Sequence, residues 1–402
     1  MNQRPTPRFL ISAAEPSADE HAAGLVRAFL RDFGPADFIG FAGPQMRAAG
    51  VASLGDLTAR ASMLLSVVGR VPAALRALLR VDALLARGGF DAAVLVDSGT
   101  FHLPLARRCH ARGVPVLYFI APQTWASRRW RNRAIRTRVT RLACILPFEA
   151  DYFARYGVAA TYVGHPLFDR LQRETIDRAR AARLRGDGRP VVAILPGSRR
   201  QEIARILPRQ LAVAGAIARR FRAARFLVSA ANGRIESQIR AQVAAMPDAA
   251  RFVVEPPPLC DLLAAADLAL VTSGTATLEA AYHHVPMIVM YDAAAARLLY
   301  PLLRGWMIHA PFLSLPNILA GRRIVPEYMP YIRRDEDVAV TAIELLGAES
   351  LRERMRGELA ALMRPIVRGG AAAAAARELV TMMAAHPVVR RHGPTGSRHA
   401  VW

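Results

Sequence analysis

Several short segments place polar groups where a reacting ligand would need them. Pro196-Gly197-Ser198-Arg199 follows the apolar run VVAIL (191–195) and opens a helical pattern. A strand that turns into a helix presents unpaired N–H groups and the positive end of the helix dipole. Gly197 lets the backbone approach a ligand, Ser198 can cap the helix, and Arg199 aims a guanidinium fork at the same place. The pattern suits a phosphate; the bland alternative is a capped helix with a solvated arginine. A second turn, Thr272-Ser273-Gly274-Thr275, repeats the arrangement, with Glu279 inside the following helix and able to accept hydrogen bonds from ribose hydroxyls. Here the alternative is a capping box. No Gly-x-Gly-x-x-Gly occurs, which argues against a dinucleotide cofactor.

In the first half, Asp97 stands directly after Val94-Leu95-Val96 and before Ser98-Gly99-Thr100. A carboxylate at the carboxyl end of a strand is well placed as a general base, or else it caps the next helix. Glu15, Ser17 and Asp19 occupy the first strand–helix turn with the same two readings, facing a ligand or capping. His165, in VGHP, either polarises a ligand or locks a turn.

These residues need strand ends to hold them. RFLIS (8–12), DFIGF (37–41), 92–96, VPVLYFI (114–120), 142–145 and 160–163 read as strands separated by helices, among them helices from about Asp19 to Arg31 and over Leu103–Arg112. The pattern restarts with VVAIL (191–195), RFLVS (225–229), RFVVE (251–255), LALVT (268–272) and PMIVM (286–290). Continuous apolar strands alternating with helices indicate parallel sheets covered on both faces. The expectation is an α/β protein of two doubly wound, Rossmann-like domains facing a cleft: 1–170, then 171–365. The polar stretch 167–190 carries the crossing. Residues 366–402 form a C-terminal helix and tail, packed back on the first domain or on a partner subunit, with 390–402 frayed.

Composition narrows the chemistry. The 402 residues are 53% hydrophobic and 21% charged, enough to bury large cores. Net charge is +22, and without a single lysine all 54 basic residues are arginine. That excludes Schiff-base lysine chemistry and the lysine-bearing phosphate loop. Genome bias explains the arginine excess as well as function does. Cys109, Cys144 and Cys260 are odd in number and far apart, so no disulfide framework or Cys-pair zinc site is expected, and a reducing cytosol fits. The short run FLISAA is too brief for a signal core, and no apolar stretch spans a membrane. A basic nucleic-acid binder would need recognisable modules, and none is present.

Taken in order, the segments resemble the lipid-A-disaccharide synthase family. AEPSAD (14–19), FAGPQM (41–46), VLVDSGTFHL (94–103), APQTWA (121–126), LPFEADYF (146–153), YVGHPLFD (162–169), LPGSRRQEI (195–203), SGTATLEA (273–280) and LSLPNILAGRRIVPE (313–327) carry the match. The resemblance implies a glycosyltransferase B fold. It implies inverting transfer from UDP-2,3-diacylglucosamine to 2,3-diacylglucosamine 1-phosphate, giving lipid A disaccharide 1-phosphate and UDP, with no metal and no cofactor. It makes Asp97 the base and assigns Gly197, Ser198, Arg199, Ser273, Gly274, Thr275, Glu279 and Asn317 to the nucleotide-sugar. Glu15, Ser17, Asp19 and His165 fall to the acceptor side.

Departures from the family pattern are Ala14 and Ala18 for glycines, Gly99 for Pro, Thr100 for Asp, His102 for Asn, and Asp292 where an Arg is expected. They leave two alternatives: a related UDP-sugar transferase or epimerase with another acceptor, or a catalytically silent member. The resemblance also implies a peripheral protein on the cytoplasmic face of the inner membrane, and homodimers in some members. Two segments fit an anionic membrane surface. From Pro72 a helix places Arg76, Arg80 and Arg87 within about 40° of one another, with Asp82 interrupting its apolar face. Residues 128–141 hold seven arginines in fourteen positions, with Trp130 among them. A buried domain helix and a solvated helix face are the respective alternatives.

Overall fold

The structure, a computed structural model, describes residues 6–58, 67–292 and 311–386. The expectation for 390–402 lies outside these residues. The chain divides into two compact units, one of residues 1–166 with 369–402 and one of residues 167–368. Each is built on a parallel sheet.

In the first unit the strands are β1 (Arg8–Ala13), β2 (Asp37–Phe41), β3 (Ala52–Gly55), β4 (Ala92–Val96), β5 (Val116–Phe119), β6 (Arg141–Cys144) and β7 (Ala160–Tyr162), in the spatial order β3-β2-β1-β4-β5-β6-β7. In the second they are β8 (Val191–Leu195), β9 (Arg225–Ser229), β10 (Phe252–Glu255), β11 (Leu268–Thr272), β12 (Met287–Met290) and β13 (Glu327–Tyr328), in the order β10-β9-β8-β11-β12-β13. All five residues of β4, of β8 and of β11 are buried, as continuous apolar runs in a two-sided parallel sheet must be. The edge strands β3 and β13 are short and half-polar, and neither is legible as an apolar run.

Both sheets reverse strand order once, between β1 and β4 and between β8 and β11. Ala13 pairs with Val96 across the first junction and Leu195 with Val271 across the second. At such a junction the flanking connections leave on opposite sides, so the carboxyl ends of the two central strands stay open to a ligand.

The chain enters the second unit at Leu167, so the polar stretch 167–190 belongs to it throughout. Leu167, Phe168, Leu171 and Leu184 are buried in its core. The chain returns at Gly369, and helix Ala371–Ala385 packs on helix Pro16–Phe33. Its buried stripe is Ala371, Ala375, Ala376, Leu379 and Met382. Small residues allow the close approach: a Cβ built on Gly24 would lie 3.5 Å from the Cβ of Ala372.

Helix Val67–Ala86 begins before Pro72, which therefore lies inside it. Its apolar side is divided: Ala77, Val81 and Leu85 are buried, whereas Leu75 and Leu79 are exposed beside Arg76 and Arg80. Asp82 pairs at 2.8 Å with Arg112, the residue that ends the neighbouring helix.

Leu379 is fully buried, so Leu379→Ala removes the centre of the C-terminal stripe. The variant should lose about 2–5 kcal/mol of first-unit stability, measured by urea unfolding.

Candidate active site

In the first unit the open junction collects Glu15, Asp97 and Ser98. The helix after β4 runs from Gly99 to Ala111 with Ser98 as its N-cap residue, and the Ser98 side chain makes no capping bond. Asp97 (φ +56°) and Ser98 (φ +48°) are consecutive left-handed residues, a conformation that costs non-glycine residues roughly 1–2 kcal/mol each. The Ser98 hydroxyl reaches the Glu15 carboxylate at 3.4 Å, joining the turns after β1 and β4. Glu15 is the N-cap residue of helix Pro16–Phe33 but makes no side-chain capping bond. Ser17 is exposed.

Asp19 behaves differently. Its buried carboxylate accepts from the N–H groups of Gly43 (2.9 Å), Gln45 (2.8 Å) and Met46 (3.2 Å). It caps the helix at Pro44–Ala48 rather than the helix of its own turn, and it ties AEPSAD to FAGPQM. His165 is buried, and burial together with neighbouring His21 pushes its pKa down to about 3; it is a neutral ring.

The departures around Asp97 have a local account. A Cβ on Gly99 would lie 3.1 Å from Cγ of Pro122 and 3.3 Å from the Arg131 guanidinium. Arg131 donates to the Thr100 hydroxyl at 3.2 Å. Two of the seven arginines of 128–141, Arg131 and Arg138, thus turn toward the segment after β4, while Arg128, Arg129, Arg133, Arg136 and Trp130 are exposed. The fully buried His102 spans β1 and the Asp97 turn, with Nδ1 2.7 Å from the Asp97 carbonyl and Nε2 2.9 Å from the Ser12 hydroxyl.

In the second unit the turns after β8 and β11 are neighbours, since those strands pair. Gly197 has φ +101°, and Thr272 lies within 3.6 Å of where its Cβ would be. The N-cap of helix Arg200–Arg220 is Arg199, not Ser198, and no side chain caps it. Ser198 and Arg199 are exposed, and Arg199 meets Glu202 at 2.8 Å, a surface pair worth little by itself. Gly274 is the N-cap residue of helix Thr275–Tyr282, also without a side-chain cap. Glu279 lies in the second turn of that helix, so the capping-box alternative fails. Burial raises its pKa while Arg170 holds it down through a 2.8 Å bond to Oε1. Its buried Oε2 has no hydrogen-bond partner among the described residues.

Asn317 turns its side chain inward. Its Nδ2 donates to Val325 O and Glu327 Oε2, and its Oδ1 accepts from the N–H groups of Ile324 and Val325. All four bonding positions of the amide are used within its own segment. Asn317 thereby organises that segment around Glu327, which also accepts from Ser314. Glu149 does the same for two other motifs: it accepts from Trp125 Nε1 and from the N–H groups of Ile145 and Leu146, and burial lifts its pKa to about 7. Asp292 is bonded to Arg209, which also pairs with Asp335 at 2.7 Å, so the inverted charge is compensated locally. No group of three His, Cys, Asp or Glu suited to a metal occurs among the described residues.

Solved structures of similar architecture define the class. The UDP-GlcNAc 2-epimerase of Neisseria meningitidis, bound to UDP-GlcNAc, matches with TM-score 0.60 at 11% identity, over 94% of this chain and 100% of that one. The spinosyn rhamnosyltransferase matches with TM-score 0.55 at 14% identity, over 93% and 100%. The fold is the two-unit α/β architecture of glycosyltransferase B proteins and related epimerases. The model of the lipid-A-disaccharide synthetase family matches residues 9–364. The lipid-A-disaccharide synthase of Solibacter usitatus is 39% identical over 370 residues, 88% of this chain and 91% of that one. The enzyme of Syntrophus aciditrophicus is 37% identical over 383 residues, 93% and 97%. The chain belongs to the lipid-A-disaccharide synthase family of glycosyltransferases.

Sequence reasoning passed over Arg170, Tyr118, Ser12 and Arg131. The last lies in a basic run that stands out, but which arginine turns inward is set by packing.

Buried neutral His102 (pKa down to about 4, by burial) and His165 both take up a proton more readily when unfolded. Their contribution to stability is present above about pH 6.5 and is lost as pH falls toward those folded values. The urea midpoint should therefore drop between pH 6.5 and 4, and His165→Asn should flatten part of that slope.

Proposed function

We propose that the protein condenses UDP-2,3-diacylglucosamine with 2,3-diacylglucosamine 1-phosphate, giving lipid A disaccharide 1-phosphate and UDP with inversion at the anomeric carbon. The observation that carries this reading is the Asp97 turn: a carboxylate on a strained left-handed turn at the open strand junction. Strain of this kind persists where the surroundings over-determine it, commonly at functional sites. The Asp97 carboxylate takes the proton of the acceptor's 6-hydroxyl as that oxygen bonds to the anomeric carbon of the donor. The bond from that carbon to the diphosphate breaks, and its electron pair leaves with UDP. In the second unit the N–H groups of the Gly197 and Gly274 turns, with Arg199, stabilise the charge gathering on the diphosphate. Breaking the exposed Arg199–Glu202 pair to meet a diphosphate costs little. Glu279 uses Oε2 for a ribose hydroxyl while Arg170 holds Oε1.

Both substrates are acylated, and the reading extends to contact with an anionic bilayer on the cytoplasmic face of the inner membrane. No helix of the described residues is long and apolar enough to cross a membrane. Leu75 and Leu79 lie exposed beside Arg76 and Arg80, and Trp130 is exposed among Arg128, Arg129 and Arg133. Each cation near an anionic surface adds about 1 kcal/mol. The family resemblance extends the proposal to a homodimer.

Incubation with both substrates in detergent micelles, followed by mass spectrometry, should yield disaccharide 1-phosphate and UDP. Asp97→Ala should lower turnover by about 10²–10⁴, and a variant with normal turnover removes Asp97 from the role of base. UDP release without disaccharide would indicate a different acceptor.

A further inference from the structure

We propose that His102 is a positioning residue for this transfer: together with Tyr118 and Ser12 it clamps the main chain at Asp97 and so fixes the direction of the catalytic carboxylate. The inference rests on the reading of Asp97 as the base.

The Asp97 turn needs an external restraint, because two successive left-handed residues without glycine relax unless held. The Asp97 N–H donates to the Phe119 carbonyl at 3.0 Å. Its carbonyl oxygen accepts two bonds, from the Tyr118 hydroxyl on β5 and from His102 Nδ1 on helix Gly99–Ala111. Both lone pairs of that carbonyl are thus occupied by donors from different elements, and the peptide plane after Asp97 cannot rotate without breaking one of them. His102 is itself held, since Nε2 meets the Ser12 hydroxyl of β1. Ser12, His102 and Tyr118 are all fully buried.

The protonation pattern follows from the partners. A carbonyl oxygen only accepts, so Nδ1 carries the proton; burial keeps the ring neutral, so Nε2 accepts from Ser12. Burial also keeps the Tyr118 hydroxyl protonated and able to donate. A leucine would fill the same volume, but it offers neither the donor nor the acceptor. The family pattern places Asn at this position, and its amide nitrogen is as many bonds from Cβ as Nδ1. Asparagine therefore keeps the bond to the Asp97 carbonyl and gives up the one to Ser12.

The test uses the full chain with both lipid substrates in micelles, and His102→Leu, His102→Asn and Tyr118→Phe, each alone and combined with Asp97→Ala. His102→Leu should lower kcat about 10²-fold, the loss expected from misplacing a reacting group by about 1 Å. Its KM for either substrate should change less than about threefold, because the interaction acts in the transition state. His102→Asn should recover kcat to within about fivefold of the parent, and Tyr118→Phe should lose about tenfold. On the Asp97→Ala background all three should change turnover less than about twofold, since there is no carboxylate left to aim. Equal losses with and without Asp97, an unchanged kcat for His102→Leu, or an Asn variant as poor as the Leu variant overturns the proposal. If the Leu variant fails to fold, Tyr118→Phe decides: a kcat loss confined to the Asp97-containing chain supports the clamp, and full kcat refutes it. Normal turnover by Asp97→Ala alone refutes the base assignment. A His102→Leu loss persisting in that variant would mark an effect independent of Asp97.

Discussion

A parallel sheet that grows from its middle in both directions leaves one pair of adjacent strands whose connections depart to opposite faces. The chain uses this constraint twice, at β1/β4 and at β8/β11, and four of the turns described above stand at one of the two junctions. At the first lie Glu15 and the Asp97 turn; at the second, the Gly197 and Ser273 turns. The strands themselves carry almost nothing polar. Buried on both faces, they form a rigid floor on which a few loop residues can be set without being averaged by motion.

The chemistry then depends on how each loop residue is held, and the two units solve this differently. Around Asp97 the restraint is on the backbone: a neutral ring and a phenol saturate one carbonyl and leave the side chain to be aimed. Around Glu279 it is on the side chain, with one carboxylate oxygen bonded to Arg170. The remaining polar side chains hold loops in place. Asp19 gathers backbone N–H groups from a turn that follows it, Glu149 and Glu327 from turns that precede them, and Asn317 is saturated around Glu327. Such carboxylates fix the path of loops that apolar packing alone would leave undetermined.

This division explains what could be read from the residues alone. The sheets were legible because uninterrupted β-branched and aliphatic runs have no other economical placement. Asp97 and Gly197 were legible because they sit where such runs stop. Asp19 and Asn317 were not, because type and spacing do not reveal whether a polar side chain bonds outward or back to its own loop. Tyr118 reads as one more apolar residue of VPVLYFI, and Ser12 as the end of RFLIS. Their role arises only because β5, β4 and β1 are neighbours in space. Glu279 finds Arg170 across more than a hundred residues of chain, a distance over which pattern carries no information.

Helix Ala371–Ala385 completes the core of the first unit although the whole of the second unit separates it from the strands of that core. As the polypeptide emerges, the second unit has all of its sequence, 167–368, before the first has its closing helix. Units of this kind fold as their sequence becomes complete, so on the ribosome the order of maturation is reversed relative to the order of synthesis. The part that carries Asp97 waits, with the flank of helix Pro16–Phe33 uncovered, until residues 371–385 have been made. A product truncated at residue 368 would therefore possess the whole sequence of the second unit and an unfinished first one.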